Sequence, residues 1–249
     1  MGRSNCVIKE IRAFLLVFSF FSRFPIKAPE DFEKILPRSI KYIPLFALIS
    51  GIFLFLLIKI LSFFLKDEIT AIIVFIIQYL IFNYFHFDGF LDTSDAFLSG
   101  KTKKEEILSI MEDTHVGAFA VLLGSTYIAT KLYIYTIFLI PNNPELIIFS
   151  FSVGRIFIVL FSYVFGSSAK DYGLGYIFVS NAKKGFISSS IAFLIISAIY
   201  FYETIITFFI CLIFCIYFVR KVGGLTGDIL GWICEFSELV WLLVSWQMS

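Results

Sequence analysis

The sequence predicts an all-α, polytopic integral membrane protein built as a helical bundle. Hydrophobic residues make up 59% of its 249 residues and the mean hydropathy is +0.92, whereas soluble domains are roughly half apolar. Long apolar runs recur along the chain. In lipid such runs form helices, because their backbone groups must be hydrogen-bonded internally. The net charge is only +1, so no basic surface indicates a nucleic-acid partner, and the expected surroundings are a lipid bilayer.

Residues 1–41 are expected to form a cytoplasmic or interfacial segment of a single domain, 1–249. The apolar run "AFLLVFSFF" follows Arg12 in the manner of a secretory signal. However, "SRFP" comes next instead of a small-residue cleavage site, so we interpret the run as retained. It is also shorter than the roughly 20 residues that a spanning helix needs. A half-inserted or interfacial helix fits better.

Residues 42–249 supply the transmembrane helices and loops. Windows of spanning length predict about six or seven helices. The predicted spans are 42–65, 69–86, 117–140, 145–166, 185–202, 204–219 and 228–246. Short connections alternate with long charged ones at 22–41, 87–116 and 167–184.

The distribution of Lys and Arg predicts the orientation. All but four of the 20 Lys and Arg residues fall on the side of the N-terminus and the long loops. Of the four, Lys66 lies on the opposite side, while Lys59, Lys131 and Arg155 fall inside spans. We expect Lys59 and Lys131 to extend toward the outer face with their charged ends in water. The positive-inside rule makes the long loops cytoplasmic, so we expect a cytoplasm-facing active site.

Three aspartates follow the second span within "FHFDGFLDTSDAFLSG". Asp88, Asp92 and Asp95 are spaced i, i+4 and i+7, which places their carboxylates on one face of a helix. Without a cation these like charges would repel, and oxygen-only ligands suit a hard ion such as Mg²⁺. A single aspartate here would be interpreted as a helix cap. Three on one face favour a metal or phosphate site.

A second polar stretch, "SIMEDTHVGAFAVLLG", lies on the same predicted side. Glu112 and Asp113 end an amphipathic segment there. Alone they would be ordinary interface residues, but the topology makes Asp113 a candidate fourth ligand from a facing helix.

These motifs together resemble a known family. "HFDGFLDTSDAF", "IMEDTHVGAFAVL", the Gly154-Arg155 pair, "GGLTGDILGWICEFSEL" and the early "SRFP" are similar to the cobalamin 5′-phosphate synthase family, also called adenosylcobinamide-GDP ribazoletransferase. The resemblance covers nearly the whole chain. It departs mildly from the family pattern, with "HFDGFLDT" for the usual "HLDGLADT" and His115 in "DTHVGAF" where "DSRIGAF" is commoner.

The resemblance implies a Mg²⁺-dependent transferase of the cytoplasmic (inner) membrane of a prokaryote, acting late in cobalamin biosynthesis. A ribose hydroxyl of α-ribazole, or of its 5′-phosphate, would attack the phosphorus attached to cobinamide in adenosylcobinamide-GDP, and GMP would leave. Asp88, Asp92, Asp95 and Asp113 are the expected metal ligands and catalytic residues. One of them, or His86, would accept the proton. A homo-oligomer is compatible with the sequence.

Other polar residues are candidates for substrate binding. Arg155 lies within a span, where it either pairs with an acid such as Glu235 or Glu238 or clamps a pyrophosphate, and both alternatives stay open. The remaining substrate-binding candidates are His115, Lys170 in the cytoplasmic loop 167–184, Asp228 after "GGLTG", Glu235 and Glu238. We expect the loop with Lys170 to act as a mobile cover whose lysine contacts substrate.

Two rival functions belong beside this one. CDP-alcohol phosphotransferases also present aspartates to a metal-bound pyrophosphate, but their D-x-x-D-G-x-x-A-R pattern is absent here. An ion or solute transporter would place its acids near the bilayer midplane, often in repeated helices. The three aspartates instead sit at one membrane edge, which favours an enzyme.

Overall fold

The protein is a helical membrane bundle, which confirms the predicted fold class. The computed structural model describes residues 2–24 and 31–249, so Pro25 of "SRFP" lies outside the described residues. Within these two ranges, six helical stretches are long and apolar enough to cross a membrane: Phe32–Phe64, Asp67–Leu98, Ala118–Asn142, Leu146–Phe165, Phe201–Val222 and Gly227–Met248. A helix pair bent by 70°, Gly173–Asn181 with Lys183–Ile199, raises the number to seven if it counts as one span.

The helices are numbered in chain order. They are α1 (Gly2–Phe21), α2 (Phe32–Ser39), α3 (Ile43–Phe64), α4 (Asp67–Gln78), α5 (Tyr84–Leu98), α6 (Lys104–Met111), α7 (Ala118–Ile134), α8 (Ile140–Asn142), α9 (Leu146–Phe165), α10 (Gly173–Asn181), α11 (Lys183–Ile199), α12 (Phe201–Val222) and α13 (Gly227–Met248). A π-helical turn, Tyr79–Asn83, joins α4 to α5, and another, Tyr135–Leu139, joins α7 to α8. The second span therefore runs unbroken through the three aspartates and ends at Leu98.

Helices α9 and α13 form the centre of the bundle. In each of them, 78% of the residues in the most apolar 18-residue stretch are buried, against 28% in α12. Small residues allow this close packing: a Cβ on Gly154 of α9 would lie 2.8 Å from the carbonyl oxygen of Cys234 in α13. Membrane helices gain most of their association energy from such close contacts, because lipid is as apolar as their side chains.

Helices α5 and α13 cross at a pair of glycines. A Cβ on Gly89 would lie 2.8 Å from the Asp228 Cα, and one on Gly231 would lie 2.7 Å from the carbonyl oxygen of His86. The two backbones can therefore touch only because both positions lack a side chain. This crossing brings the first turn of α13 beside the aspartates of α5.

Helix α1 lies along the first span and is not among the spanning helices of the described residues. Glu10 joins it to the start of α3, accepting hydrogen bonds from Lys41 Nζ at 2.8 Å and Tyr42 Oη at 2.7 Å. The lysine holds the pKa of Glu10 below its usual range. The interfacial position expected for this segment stays a prediction.

Candidate active site

The acidic face predicted from the i, i+4, i+7 spacing exists on α5. Asp88, Asp92 and Asp95 line a cavity of about 260 Å³. The other wall comes from the α6–α7 connection, which contributes Glu112, Asp113, Thr114, His115, Val116 and Gly117. Asp88 is exposed, while Asp92 and Asp95 are half-buried.

Asp95 also caps a helix. Its Oδ1 accepts hydrogen bonds from the backbone N–H groups of Phe119 at 3.2 Å and Ala120 at 3.4 Å, in the first turn of α7. Gly117 leaves room for this carboxylate, because a Cβ there would collide with it. A negative charge at a helix N-terminus is stabilised by the free N–H groups and the helix dipole. Asp95 therefore ties α5 to α7 besides lining the cavity.

Asp113 reaches the cavity from a loop rather than from the facing helix that we expected, since α6 ends at Met111 and α7 begins at Ala118. Its Oδ1 accepts the backbone N–H of His115 at 3.0 Å and contacts the ring Nδ1 of the same residue at 2.6 Å. These hydrogen bonds hold the pKa of Asp113 below its usual range. Both predicted residues thus lie at the cavity, paired with each other.

Asp228 is brought to the aspartates by the α5–α13 crossing. Asp92 lies close enough to Asp88, Asp95 and Asp228 for their charges to repel one another. The helix that carries Asp228 is itself capped by Thr226, whose hydroxyl accepts the Ile229 N–H at 3.1 Å. Four carboxylates from two helices therefore converge on the cytoplasmic ends predicted for α5 and α13.

The loop after α9 lies beside this group of acids. Its backbone pairs with the turn before α13, since the Ala169 N–H donates to the Leu225 carbonyl and the Leu225 N–H to the Ser167 carbonyl, both at 2.9 Å. Lys170 Nζ lies 2.8 Å from Glu112 Oε1, and it also attracts Asp228. Its hydrogen bond holds the pKa of Glu112 below the usual range. Lys170 therefore links the α6–α7 connection to the first turn of α13.

The side chains that line this cavity are of the kind that binds a hard divalent cation. The donors are carboxylate oxygens, which Mg²⁺ prefers, and the cavity has room for water and phosphate oxygens that usually complete its shell. Across residues 2–24 and 31–249, however, no three His, Cys, Asp or Glu side chains converge closely enough to form a ligand set by themselves. Asp88 and Asp92 would hold such an ion most directly, because they line the cavity while Asp95 and Asp113 already accept hydrogen bonds.

His86 lies away from the acidic cavity. It is two residues from Asp88, about 200° around the helix, and is only 3% exposed. Its ring stacks on Phe21 at 5.5 Å and lines a separate apolar cavity of about 40 Å³. The Nδ1 atom has no hydrogen-bond partner among the described residues. The geometry therefore gives no support to His86 as the proton acceptor and leaves that role to a carboxylate.

Arg155, Glu235 and Glu238 lie deeper and are themselves buried, in a polar network inside the bundle. Arg155 is 0% exposed; it forms an ion pair with Glu238 and donates to Asn83 Oδ1 at 2.8 Å. Asn83 in turn donates to Glu235 at 2.7 Å. Of the two alternatives for Arg155, the structure shows the ion pair. None of the three predicted substrate-binding residues lines the acidic cavity.

Lys131 belongs to the same network, so the expectation that it extends toward the outer face was wrong. It is 0% exposed, and its Nζ donates to Glu238 at 2.6 Å and to the hydroxyl of Tyr127 at 2.9 Å. Within a low-dielectric interior a lysine charge is retained only beside an opposite charge. Two carboxylates lie beside Lys131, and their attraction compensates its positive charge in place of contact with water. Lys59, by contrast, is exposed as expected.

Sequence reasoning missed most of this network. Its other members are Gln78, Tyr79, Asn83, Tyr127 and Tyr135. A signal was present in the spacing, because Tyr127, Lys131 and Tyr135 recur every four residues in one span, as do Tyr79 and Asn83 in another. Such polar stripes in apolar helices face the bundle interior.

Comparison with known proteins agrees with this architecture. The family model described as cobalamin-5-phosphate synthase matches residues 13–246. A protein of Clostridium tetani named adenosylcobinamide-GDP ribazoletransferase is 36% identical, over 95% of this chain and 97% of its own. Proteins of the same name from Thermosipho melanesiensis and Thermosipho africanus are 37% and 34% identical, covering 93% and 94% of this chain and 97% and 98% of theirs. No solved structure matches the chain.

The family match spans nearly the full length and includes the acidic face of α5, the α6–α7 connection, and the α13 entry that lies against them. The chain therefore belongs to the cobalamin-5-phosphate synthase family.

Proposed function

We propose that this protein is an adenosylcobinamide-GDP ribazoletransferase that works at the cytoplasmic face of a prokaryotic inner membrane. It joins adenosylcobinamide-GDP to α-ribazole or its 5′-phosphate, giving adenosylcobalamin or its 5′-phosphate and GMP. The observation that carries the proposal is the acidic cavity: the aspartates of α5 face the acidic α6–α7 connection, with Asp228 of α13 near Asp92 and Lys170 paired with Glu112. The side of the membrane is inferred from the Lys and Arg distribution.

The reaction is a displacement at phosphorus, so positioning and charge neutralisation are the main tasks of the protein. A ribose hydroxyl forms a bond to the phosphorus that carries cobinamide, the pyrophosphate bridge breaks, and GMP carries away the bridging oxygen. The hydroxyl proton passes to a carboxylate, for which half-buried Asp92, surrounded by three other acids, is the best placed. A bound Mg²⁺ would neutralise charge on the phosphoryl oxygens.

Lys170 is the group best placed to meet the leaving nucleotide. It is held by Glu112, which lines the cavity, and a phosphate could replace that carboxylate as its partner, because both are anionic acceptors. Transfer of Lys170 from Glu112 to the substrate would close the loop over the reacting phosphates and reduce the access of water.

The test uses the full chain reconstituted in lipid vesicles with both substrates and Mg²⁺. We expect release of GMP together with formation of the cobamide. Asp92→Asn should reduce turnover by at least about 10–100-fold, the range seen when even an indirect partner of a metal is lost. Asp67→Asn, in the first turn of α4 at the opposite membrane edge, is the matched control and should retain activity.

The outcomes separate this function from its rivals. Turnover of a CDP-linked alcohol in place of adenosylcobinamide-GDP would overturn the substrate assignment. Two results would show that the acidic cavity is not the catalytic site. One is turnover without metal, and the other is an Asp92→Asn variant that inserts normally and retains full activity.

A further inference from the structure

A groove between α3, α9 and α11 opens on the lipid-facing side of the bundle, away from the acidic cavity. Its volume is about 410 Å³. The walls are apolar along most of their length: Pro44, Leu45 and Leu48 from α3, Ile148, Phe149 and Ile156 from α9, and Ala192, Ile195 and Ile196 from α11. Several of these side chains are exposed, among them Leu45 at 44% and Ile195 at 56%.

One end of the groove is basic. Lys41 lines it there together with Tyr42, and α11 begins beside them, because Gly185 packs against Ile40 so closely that a Cβ would lie 2.9 Å from the Ile40 carbonyl oxygen. Lys184 lies four residues before Ser188, which lines the groove. Residues four apart share a helix face, so Lys184 stands at the mouth of the groove.

The charge at this end is not balanced within the described residues. Glu10 is the carboxylate that pairs with the nearby cations, at 2.8 Å from Lys41 and 3.9 Å from Arg38. Lys184 has no ion-pair partner in the described part of the chain, and its side chain is exposed. The mouth therefore carries an excess of positive charge next to an apolar slot.

The dimensions fit the part of an acyl chain nearest its headgroup. From Lys41 to Leu48 the groove follows seven residues of helix, about 10 Å at 1.5 Å per residue. A ligand that matches both features has a hydrocarbon chain and an anionic group at one end. We propose that the groove binds an anionic diacyl phospholipid of the surrounding membrane, with an acyl chain along α3, α9 and α11 and the phosphate at Lys41 and Lys184.

A second copy of this chain is a poorer occupant. Two copies in one membrane meet about a two-fold axis along the membrane normal, which brings identical surfaces together at the same depth. The basic mouths would then face each other and repel. A phospholipid headgroup instead neutralises them.

The test measures lipid binding by the full chain, purified in an uncharged detergent and stripped of lipid. Native mass spectrometry and thermal unfolding would be recorded with phosphatidylglycerol, with phosphatidylcholine carrying the same acyl chains, and with inorganic phosphate. We expect phosphatidylglycerol to bind and to raise Tm, with little effect from the other two.

Two variants locate the site. Lys184→Gln should weaken phosphatidylglycerol binding about fivefold, since one lysine near an anionic headgroup contributes about 1 kcal/mol. Lys183→Gln is the matched control: it removes the same charge from the same turn, but it lies about 140° around the helix from Ser188, so it should bind normally. Ala192→Phe fills the slot and should reduce binding while both lysines remain.

Several results would overturn the proposal. Equal binding of phosphatidylcholine would show that the charge does not contribute to binding. Equal stabilisation by inorganic phosphate would show that the apolar slot does not contribute. Equal losses in the Lys183→Gln and Lys184→Gln variants would indicate diffuse surface attraction. A lipid-free dimer whose contact is broken by Ala192→Phe would assign the groove to a second copy.

Discussion

Removal of Glu238 tests whether the buried network holds the bundle together. This carboxylate accepts hydrogen bonds from Lys131 at 2.6 Å and Gln78 at 3.0 Å and pairs with Arg155. All of these groups are closed to solvent. The network contains two cations and two carboxylates, so it is neutral as a unit. Glu238→Gln keeps the volume but leaves two cations facing Glu235 alone.

The expected cost follows from this imbalance. Breaking a buried ion pair by removing one partner destabilises a protein by about 3–5 kcal/mol, because the remaining charge has no compensation. In a chain of this size that corresponds to a fall in Tm of roughly 6–20 °C. Lys131→Met should have a cost of similar size, since it leaves two carboxylates facing Arg155. Thermal unfolding of the full chain in detergent measures both.

The double variant distinguishes charge balance from lost packing. Lys131→Met with Glu238→Gln leaves one cation and one carboxylate, so the two changes together should cost less than their sum, by about 0.5–3 kcal/mol. Lys59→Met, which removes an exposed lysine from another span, should change stability by no more than about 0.5 kcal/mol. Strict additivity, or single variants that each cost under about 1 kcal/mol, would refute the coupled-charge account.

Three further variants probe the acidic cavity. Gly89→Ala should destabilise the chain by about 1–3 kcal/mol in thermal unfolding and should lower turnover, because the added Cβ meets the backbone of α13. Gly227→Ala is the control: it has space for the added methyl group and should be nearly neutral. Gly117→Ala should displace Asp95 from the N-terminus of α7 and cost about 1 kcal/mol, and unchanged stability would contradict the capping role. Lys170→Gln should raise the KM for adenosylcobinamide-GDP by about fivefold or more with unchanged Tm, since the lysine is near the surface; a fall in Tm with unchanged KM would make it a structural residue.

The local pattern of residues was sufficient to predict the acidic face and most of the spans, although the helix of the second span continues past its predicted end at residue 86 to Leu98. Span 42–65 became the helix Ile43–Phe64, and span 228–246 became Gly227–Met248, because spanning length and internal backbone hydrogen bonding depend only on runs of apolar residues. The shared face of Asp88, Asp92 and Asp95 follows from helical periodicity in the same way.

Contacts between distant helices were decided only by the tertiary structure. Spacing within α5 carries no information on which helix packs against Gly89, so the approach of Asp228 could not be predicted, nor the use of Asp95 as the cap of α7. Lys131 shows the same point. From the sequence we expected its charged end to extend to water at the outer face. Glu238, more than a hundred residues away in the chain, instead compensates its charge inside the bundle. Periodicity is a property of neighbours in the chain, whereas the cost of a buried charge depends on which partners the fold brings to it.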